Sequence, residues 1–145
     1  MAFEDIYRGY VLIDSSALIA LINEQDSNHD YSVFALDDLK KDTNVRLFLC
    51  NLTIYETYTR LRYRFKWEKA VQVWSTISLR IQPRLIEYRA SYEQRTREIL
   101  ENYRSHELSF HDAACAAMMT ESKIGRIFTF DNDFSVIGFE CYPNL

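Results

Sequence analysis

The stretch Tyr10-Val-Leu-Ile-Asp14 decides the fold, because it is a continuous apolar run that ends abruptly in a carboxylate. Apolar residues at successive positions, rather than at alternate ones, are typical of a central parallel strand buried on both faces. Ser15 and Ser16 follow directly, and either can cap a helix that runs to about Leu21. A strand that leads straight into a helix predicts an α/β fold, with Asp14 at the carboxyl end of the strand, where such folds bind ligands.

Outward from this stretch, strands and helices alternate along the chain. Further strands are predicted at Arg46–Cys50, Leu85–Tyr88, Arg126–Phe130 and Gly138–Tyr142, and further helices at Asn28–Lys41, from Thr53, at Trp67–Ser78, at Tyr92–Tyr103 and from Ser109. Strands separated by helices imply a parallel sheet with right-handed crossovers.

The length of the chain and its few Gly and Pro residues predict one domain. The chain has 145 residues, 48% of them hydrophobic, which is enough for one sizeable core. Only three Gly and two Pro are present, and no Gly-, Ser- or Pro-rich stretch separates one half from the other. We therefore expect a single domain over residues 1–145.

The sequence predicts a cytoplasmic protein without a membrane segment. Its apolar runs, such as Leu18–Ile22, are too short to span a bilayer, and the first five residues lack the positive segment of a secretory signal. Cys50, Cys115 and Cys141 are odd in number and lie in apolar surroundings, which favours buried, reduced thiols over disulfides or a zinc site.

The acidic net charge does not exclude a nucleic-acid substrate. The formal charge is −4, which is unusual for a nucleic-acid-binding domain. If the acidic residues described next bind metal ions, however, the rest of the surface is close to neutral. Most of the basic residues are Arg, concentrated between Arg60 and Arg104, and Arg is suited to bidentate contacts with phosphate.

Five acidic residues follow predicted strands or lie near the starts of predicted helices: Asp14, Glu56, Asp112, Asp131 and Asp133. Carboxylates gathered at these positions are hard oxygen ligands, which indicates a divalent-metal site. Like charges clustered in this way are costly without a cation.

Each acid also has a purely structural explanation. Asp14 can cap a helix. Glu56 follows Thr53, and Asp112 follows Ser109, at the spacing of a capping box. Asp131 and Asp133 fit an Asp-rich turn. The explanations are compatible with metal binding, because a carboxylate in the first turn of a helix stays ionised beside the positive end of the helix dipole.

Four segments carry a resemblance to PIN-domain ribonucleases: Val11-Leu-Ile-Asp14-Ser-Ser-Ala-Leu, Leu52-Thr-Ile-Tyr-Glu56, Leu108-Ser-Phe-His-Asp112-Ala-Ala and Ile127-Phe-Thr-Phe-Asp131-Asn-Asp133-Phe. The layout is most similar to the VapC-type toxins of toxin–antitoxin modules. The resemblance implies a PIN-like, Rossmann-like three-layer sandwich with a central parallel sheet of about five strands. Two departures, Thr57 in place of an aliphatic residue and the extra residues before the first strand, weaken the toxin assignment more than the family assignment.

The same resemblance implies an activity and its residues. Asp14, Glu56, Asp112 and Asp131 fall on the acidic quartet that binds one or two Mg²⁺ or Mn²⁺ ions, and Asp133 falls on a more variable further acid. Ser15 and Thr129 match supporting hydroxyl positions. The expected reaction is hydrolysis of RNA phosphodiester bonds, with tRNA or rRNA as substrate, a cognate antitoxin as partner and a homodimer as the assembly.

Two residues near the acids are ambiguous from the sequence. Arg60 lies four residues after Glu56, where it can bind a phosphate or, as we favour, pair with Glu56 along the helix. His111 precedes Asp112, but neighbouring residues on a helix point in different directions, so a role in the site is not expected for it.

Other functions remain as alternatives. A PIN-fold RNA-processing nuclease outside a toxin–antitoxin module, or a non-catalytic RNA- or protein-binding domain, is possible on the same fold. A Mg²⁺-binding receiver-like signalling domain fits less well, because it requires its acidic pair beside the first strand, and here Asp131 and Asp133 come late.

Overall fold

The computed structural model describes residues 7–144, and its centre is a five-stranded, fully parallel sheet. The strands are β1 (Tyr10–Ile13), β2 (Arg46–Cys50), β3 (Arg84–Ile86), β4 (Arg126–Phe128) and β5 (Glu140–Tyr142), in the order β3-β2-β1-β4-β5. The predicted α/β class and strand number are confirmed. The prediction about Met1–Asp5 lies outside the described residues.

Helices connect these strands. They are α1 (Ser15–Ile22), α2 (His29–Lys41), α3 (Asn51–Arg64), α4 (Trp67–Ala70), α5 (Gln72–Ser75), α6 (Glu93–Asn102), α7 (Phe110–Ser122) and α8 (Asp133–Val136), with a π-helix at Thr76–Ile81 and a 3₁₀ turn at Ala90–Tyr92. Among the described residues, no helix is long and apolar enough to cross a membrane.

The central strand β1 is buried on both faces, as its unbroken apolar run predicts. Val11 and Ile13 pack into a core cluster with α1, α2 and α3, whereas Leu12 joins a second cluster with α7 and β4. All three side chains are fully buried. Helices therefore cover both faces of the sheet, which is the three-layer arrangement expected.

The topology places a switch point at the carboxyl end of β1. This strand pairs with β2 on one side and with β4 on the other, so the connections lead away in opposite directions along the sheet. The order 3-2-1-4-5 differs from the 2-1-3-4-5 order of flavodoxin-like folds, to which receiver domains belong. The receiver-like alternative is therefore disfavoured.

Two predicted helices differ from the observed ones. The helix expected to begin at Thr53 begins at Asn51, because β2 leads into it without a loop and Cys50, in extended conformation, is its cap. The helix expected at Trp67–Ser78 is divided into α4, α5 and the π-helix. The π-helix ends at Gln82, whose φ of 52° is left-handed, and Pro83 follows it.

The observed strands β3, β4 and β5 are each shorter than the strands predicted at those places in the sequence.

A candidate metal centre at the carboxyl ends of β1 and β4

Asp14 is held rigidly at the end of β1. Its backbone N–H donates to the carbonyl oxygen of Phe128 on β4 at 2.9 Å, and the residue is only 1% exposed. Burial raises the pKa of its carboxyl group above the ordinary value, although His111 and the hydroxyl groups of Thr129 and Ser16 act in the opposite direction. A carboxylate kept in so dry a place is costly to ionise unless a cation lies nearby.

Two hydroxyl groups orient the Asp14 carboxylate. Oδ2 of Asp14 accepts hydrogen bonds from Thr129 Oγ1 at 2.7 Å and from Ser16 Oγ at 2.8 Å. Ser15 Oγ is farther away, at 3.5 Å from Oδ1. Of the two hydroxyl positions singled out in the sequence, Thr129 thus contacts Asp14 closely and Ser15 only weakly, and Ser16 makes the second close contact. Ser16 faces β4 because it lies one position further round the first turn of α1.

The same hydroxyl groups shape the turn that carries the acidic pair. Ser16 Oγ accepts from the N–H of Phe130 at 2.9 Å, and Thr129 Oγ1 accepts from the N–H of Asp131 at 3.0 Å. The N–H of Asp133 in turn donates to Asp131 Oδ1 at 2.9 Å. The structural explanation for Asp131 as a turn residue is thus correct, and its side chain still lies beside Asp112.

Asp112 lies in the first turn of α7, as the sequence predicts. Ser109 caps this helix, because its hydroxyl oxygen accepts from the N–H of Asp112 at 3.0 Å. Asp112 itself is 8% exposed. Since the cap uses the backbone of Asp112, its side chain is available to the site.

The capping explanation for Glu56 is wrong. Thr53 lies within α3 rather than at its cap, and its side chain is fully buried. Its hydroxyl oxygen lies 2.8 Å from Nε2 of His111. Glu56 is therefore in the second turn of α3, and Oε2 of its side chain lies 3.0 Å from Nδ1 of His111.

His111 lies among the acids, contrary to expectation. It is 7% exposed, and its Nδ1 lies 3.6 Å from Asp112 Oδ1 and 3.8 Å from Asp14 Oδ1. Burial opposes the charged imidazolium, but Asp112, Cys115 and Asp14 outweigh it and raise the pKa of His111 to about 11. In the sequence, the feature that could have indicated this position is that His111 directly precedes Asp112 in the segment Ser109–Asp112, which predicts a capped helix start.

Two groups of potential ligands share one residue. Ligand atoms of Asp14, His111 and Asp112 lie within 4.8 Å of one another, and so do those of Asp112, Asp131 and Asp133. Asp112 therefore joins the deep part of the site to its more open part. Partial burial raises the pKa of Asp133, and so do the neighbouring charges of Asp131 and Asp112. All five predicted acids thus lie around one locus, with Glu56 connected through His111.

The residues present fit a divalent cation. Carboxylate oxygens, which are the ligands that Mg²⁺ and Mn²⁺ prefer, come from the ends of β1 and β4 and from α3, α7 and α8. A buried nitrogen, His111 Nδ1, also faces the acids without a well-aligned hydrogen-bond partner among the described residues. A bound cation would neutralise the crowded negative charge, and at Nδ1 it would take the place of the proton that His111 carries without it.

Arg60 reaches the same end of the sheet. Its Nη1 donates to Ser15 Oγ at 3.3 Å, whereas Glu56 lies within ion-pair distance of His111. Within residues 7–144, the helical Glu56–Arg60 pair that we favoured is not formed. A guanidinium group that contacts Ser15 and is not paired with Glu56 is available for a phosphate.

Comparison with known proteins agrees with this architecture. VapC20 of Mycobacterium tuberculosis, described as a toxin that cleaves the sarcin–ricin loop, is 29% identical, with a TM-score of 0.76 over 89% of this chain and 95% of that chain. VapBC2 from Rickettsia felis, solved on a promoter DNA fragment, is 16% identical with a TM-score of 0.69, and FitAcB from Neisseria gonorrhoeae is 17% identical with a TM-score of 0.64. Each of these two covers 91% of this chain and 96% of its own chain, and at such identities they show the fold alone.

The family itself is shown by sequence. No curated protein matches the chain closely enough to be counted as a relative. The sequence model of the PIN domain, in contrast, matches residues 11–140, which run from β1 to the start of β5 and include all five acids. The chain therefore belongs to the PIN domain family.

Proposed function

We propose that this protein is a metal-dependent endoribonuclease that hydrolyses RNA phosphodiester bonds, acting as a single PIN-like domain. The observation that carries the proposal is the convergence of Asp14, Asp112, Asp131 and Asp133 on one locus, with Asp112 shared by both ligand groups. Membership of the PIN domain family and the likeness to VapC20 support RNA as the substrate.

Asp14, Glu56 and Asp112 are the residues that would hold Mg²⁺ or Mn²⁺, with Asp131 and Asp133 completing the site. When bound, such an ion lowers the pKa of a water molecule and neutralises charge on the reacting phosphate. The Ser16 and Thr129 hydroxyl groups fix the direction in which Asp14 presents its oxygens. No side chain is required as a nucleophile, because water can attack phosphorus directly.

Arg60 is proposed to bind the phosphate. Its guanidinium contacts Ser15, next to Asp14, and it is exposed enough to receive a ligand. Arg can form two parallel hydrogen bonds to phosphate oxygens, which fixes the orientation of the scissile group.

We further propose a specific biological role. The protein is the toxin of a type II toxin–antitoxin module, is inhibited by a cognate antitoxin and acts as a homodimer. The similarity to VapC20 supports the toxin assignment, and the VapBC2 and FitAcB complexes share the fold. Structured RNA, either rRNA or tRNA, is the proposed substrate. An RNA-processing nuclease outside such a module is the main alternative.

A cleavage assay tests the activity. Purified protein is incubated with ribosomes, with tRNA and with a hairpin of the sarcin–ricin type, in Mg²⁺, in Mn²⁺ and in EDTA. We expect specific cleavage that EDTA abolishes and that Asp14→Asn lowers by at least about a hundredfold. Asp37→Asn, which changes an exposed acid on α2, is the matched control and should retain activity. Cleavage that is unchanged by EDTA or by Asp14→Asn would contradict the proposal.

A growth assay separates the toxin from other nucleases. Induced expression should arrest bacterial growth, and Asp112→Ala should relieve the arrest. Co-expression of the small open reading frame beside the gene should also relieve it if that frame encodes an antitoxin. Normal growth while the protein is active in vitro would favour the RNA-processing alternative.

A further inference from the structure

One ring nitrogen of His111, Nε2, lies at hydrogen-bond distance from neighbouring side chains, whereas the other, Nδ1, has no hydrogen-bond partner of acceptable geometry among the described residues. Nε2 lies 2.8 Å from Thr53 Oγ1 and 3.4 Å from Cys115 Sγ. Nδ1 is buried, and none of the described residues forms a hydrogen bond of acceptable geometry with it. This nitrogen nevertheless faces three carboxylates, of Glu56, Asp112 and Asp14, at 3.0, 3.6 and 3.8 Å.

Once a metal ion displaces the proton from Nδ1, Nε2 keeps its proton, and the Thr53 hydroxyl oxygen can accept a hydrogen bond from Nε2–H. An imidazole that carries its single proton on Nε2 is neutral and has a lone pair on Nδ1. Metal-ligating histidines typically donate their other ring N–H to a carboxylate, a backbone carbonyl or water, which fixes both tautomer and ring orientation; here the Thr53 hydroxyl oxygen stands in that position. Thr53 is itself held in place inside α3, where the Thr57 hydroxyl donates to its carbonyl oxygen at 2.7 Å.

The spacing around Nδ1 matches that of ligand atoms on one ion. Atoms that lie about 2.1 Å from a common ion are about 3.0 to 3.4 Å apart in octahedral or tetrahedral arrangement. The distances from Nδ1 to the three carboxylate oxygens, 3.0 to 3.8 Å, are close to this range. Ligand atoms of Asp14, His111 and Asp112 also lie within 4.8 Å of one another, so small side-chain movements bring them onto one ion.

We propose that Nδ1 of His111 is a metal ligand, together with Asp14 and Asp112, and that this nitrogen makes the centre select a divalent transition-metal ion such as Mn²⁺ over Mg²⁺. The inference rests on the proposed metal site and adds a ligand to it. Mn²⁺ shares with Mg²⁺ a preference for carboxylate and water oxygens, but as a first-row transition metal it accepts an imidazole nitrogen more readily than Mg²⁺ does. Ligation requires the neutral ring, so the ion replaces a proton at Nδ1.

The alternative is that His111 positions Glu56 and does not bind the ion, which would leave the centre with oxygen ligands only. In that case Nδ1–H remains a donor that positions Glu56, and no metal–nitrogen bond forms. Two measurements distinguish the uses.

The first measurement is pulsed electron paramagnetic resonance of Mn²⁺ bound to the full chain. A directly coordinated imidazole gives ¹⁴N modulation of the Mn²⁺ echo, and we expect this modulation in the unaltered protein. His111→Gln, which removes Nδ1 and can still reach Thr53, should abolish it. His106→Gln is the matched control, since His106 is an exposed histidine of the same region, and the modulation should persist.

Several results would overturn the inference. Bound Mn²⁺ without ¹⁴N modulation in the unaltered protein would exclude the nitrogen ligand even if the variants failed to fold. Modulation that survives His111→Gln, or disappears in His106→Gln, would assign the nitrogen elsewhere. If Mn²⁺ binding depends on Asp14 but shows no nitrogen, the proposed nuclease site stands and only the role of His111 fails. If Mn²⁺ does not bind, the inference about His111 fails, and if neither Mn²⁺ nor Mg²⁺ binds, the proposed nuclease site fails with it.

The second measurement is titration calorimetry with Mn²⁺ and with Mg²⁺. We expect His111→Gln to weaken Mn²⁺ binding by at least about tenfold and Mg²⁺ binding by less than about threefold. Equal weakening of both ions would contradict selection by nitrogen. Thermal unfolding of each variant in EDTA verifies that the fold is retained.

Discussion

The hydroxyl group of Thr129 donates a hydrogen bond of 2.7 Å to Oδ2 of Asp14, across 115 positions of sequence. This contact joins the carboxyl ends of β4 and β1, which are neighbouring strands in the sheet. It also orients the most deeply buried acid of the site. A single hydroxyl group therefore contributes both to the stability of the sheet end and to the geometry of the proposed metal centre.

Thr129→Val should lower stability and activity together. The substitution keeps the side-chain volume but leaves a buried carboxylate without one of its donors, which costs about 1–3 kcal/mol of unfolding free energy. Urea denaturation and the RNA cleavage assay measure the two effects. Thr120→Val is the control, because the Thr120 hydroxyl donates to the Ala116 carbonyl oxygen of its own helix. An equal loss in both variants would show that Thr129 has no special role.

Ser16→Ala should impair cleavage more than Ser15→Ala does. Ser16 Oγ lies 2.8 Å from Asp14 Oδ2 and also accepts from the N–H of Phe130, whereas Ser15 Oγ is 3.5 Å from Oδ1. Loss of the Ser16 hydroxyl therefore loosens both the carboxylate and the turn that carries Asp131. Initial cleavage rates of the two variants at equal protein concentration test the order, and a larger defect in Ser15→Ala would reverse our assignment.

Asp14→Asn should make the metal-free protein more stable at neutral pH while abolishing activity. Burial raises the pKa of Asp14 above 3.8 in the folded state, so stability is lost as the pH rises through the folded pKa. An uncharged amide avoids that loss. In EDTA at pH 7, the variant should unfold at a higher temperature than the unaltered protein, and the difference should vanish as the pH falls toward 4. A lower unfolding temperature at pH 7 would disprove this.

Bound metal should reverse that order of stability. An ion that binds only the folded state stabilises it by about 2.7 kcal/mol at one hundred times its dissociation constant. Mn²⁺ should therefore raise the unfolding temperature of the unaltered protein, whereas Asp14→Asn should respond weakly. Asp37→Asn serves again as the control and should respond like the unaltered protein. A similar rise in Asp14→Asn would place the stabilising ion elsewhere.

Gly125→Ala should destabilise the start of β4. The N–H of Gly125 donates to the Tyr7 carbonyl oxygen at 2.7 Å, and a β-carbon at position 125 would collide with that carbonyl. Overpacking against backbone costs about 1–3 kcal/mol. Gly138→Ala is an informative comparison, because Gly138 has space around it but a φ of 97°. Its cost comes from backbone strain alone, and urea denaturation should rank it below Gly125→Ala.

Much of the fold was predictable because its determinants are local. The unbroken apolar run before Asp14 indicates burial on both faces, and Ser109 before Asp112 indicates a capped helix start. The five acids could be identified as candidate metal ligands because each lies just after the predicted end of a strand or the predicted start of a helix. The boundary at Thr53 was wrong, since β2 enters α3 directly and Thr53 is buried against His111 instead of capping a helix.

By itself, the sequence determined the α/β alternation, the family resemblance and the five acids, since periodicity and capping act over a few neighbouring residues. Only the tertiary structure decided which side chains meet. It gave Asp14 the hydroxyl groups of Ser16 and Thr129, and it turned the Nδ1 atom of His111 toward Glu56 and Asp14. Those contacts depend on how α3 and α7 pack at the end of the sheet, and no local pattern encodes the direction of a buried ring across 97 positions from Asp14.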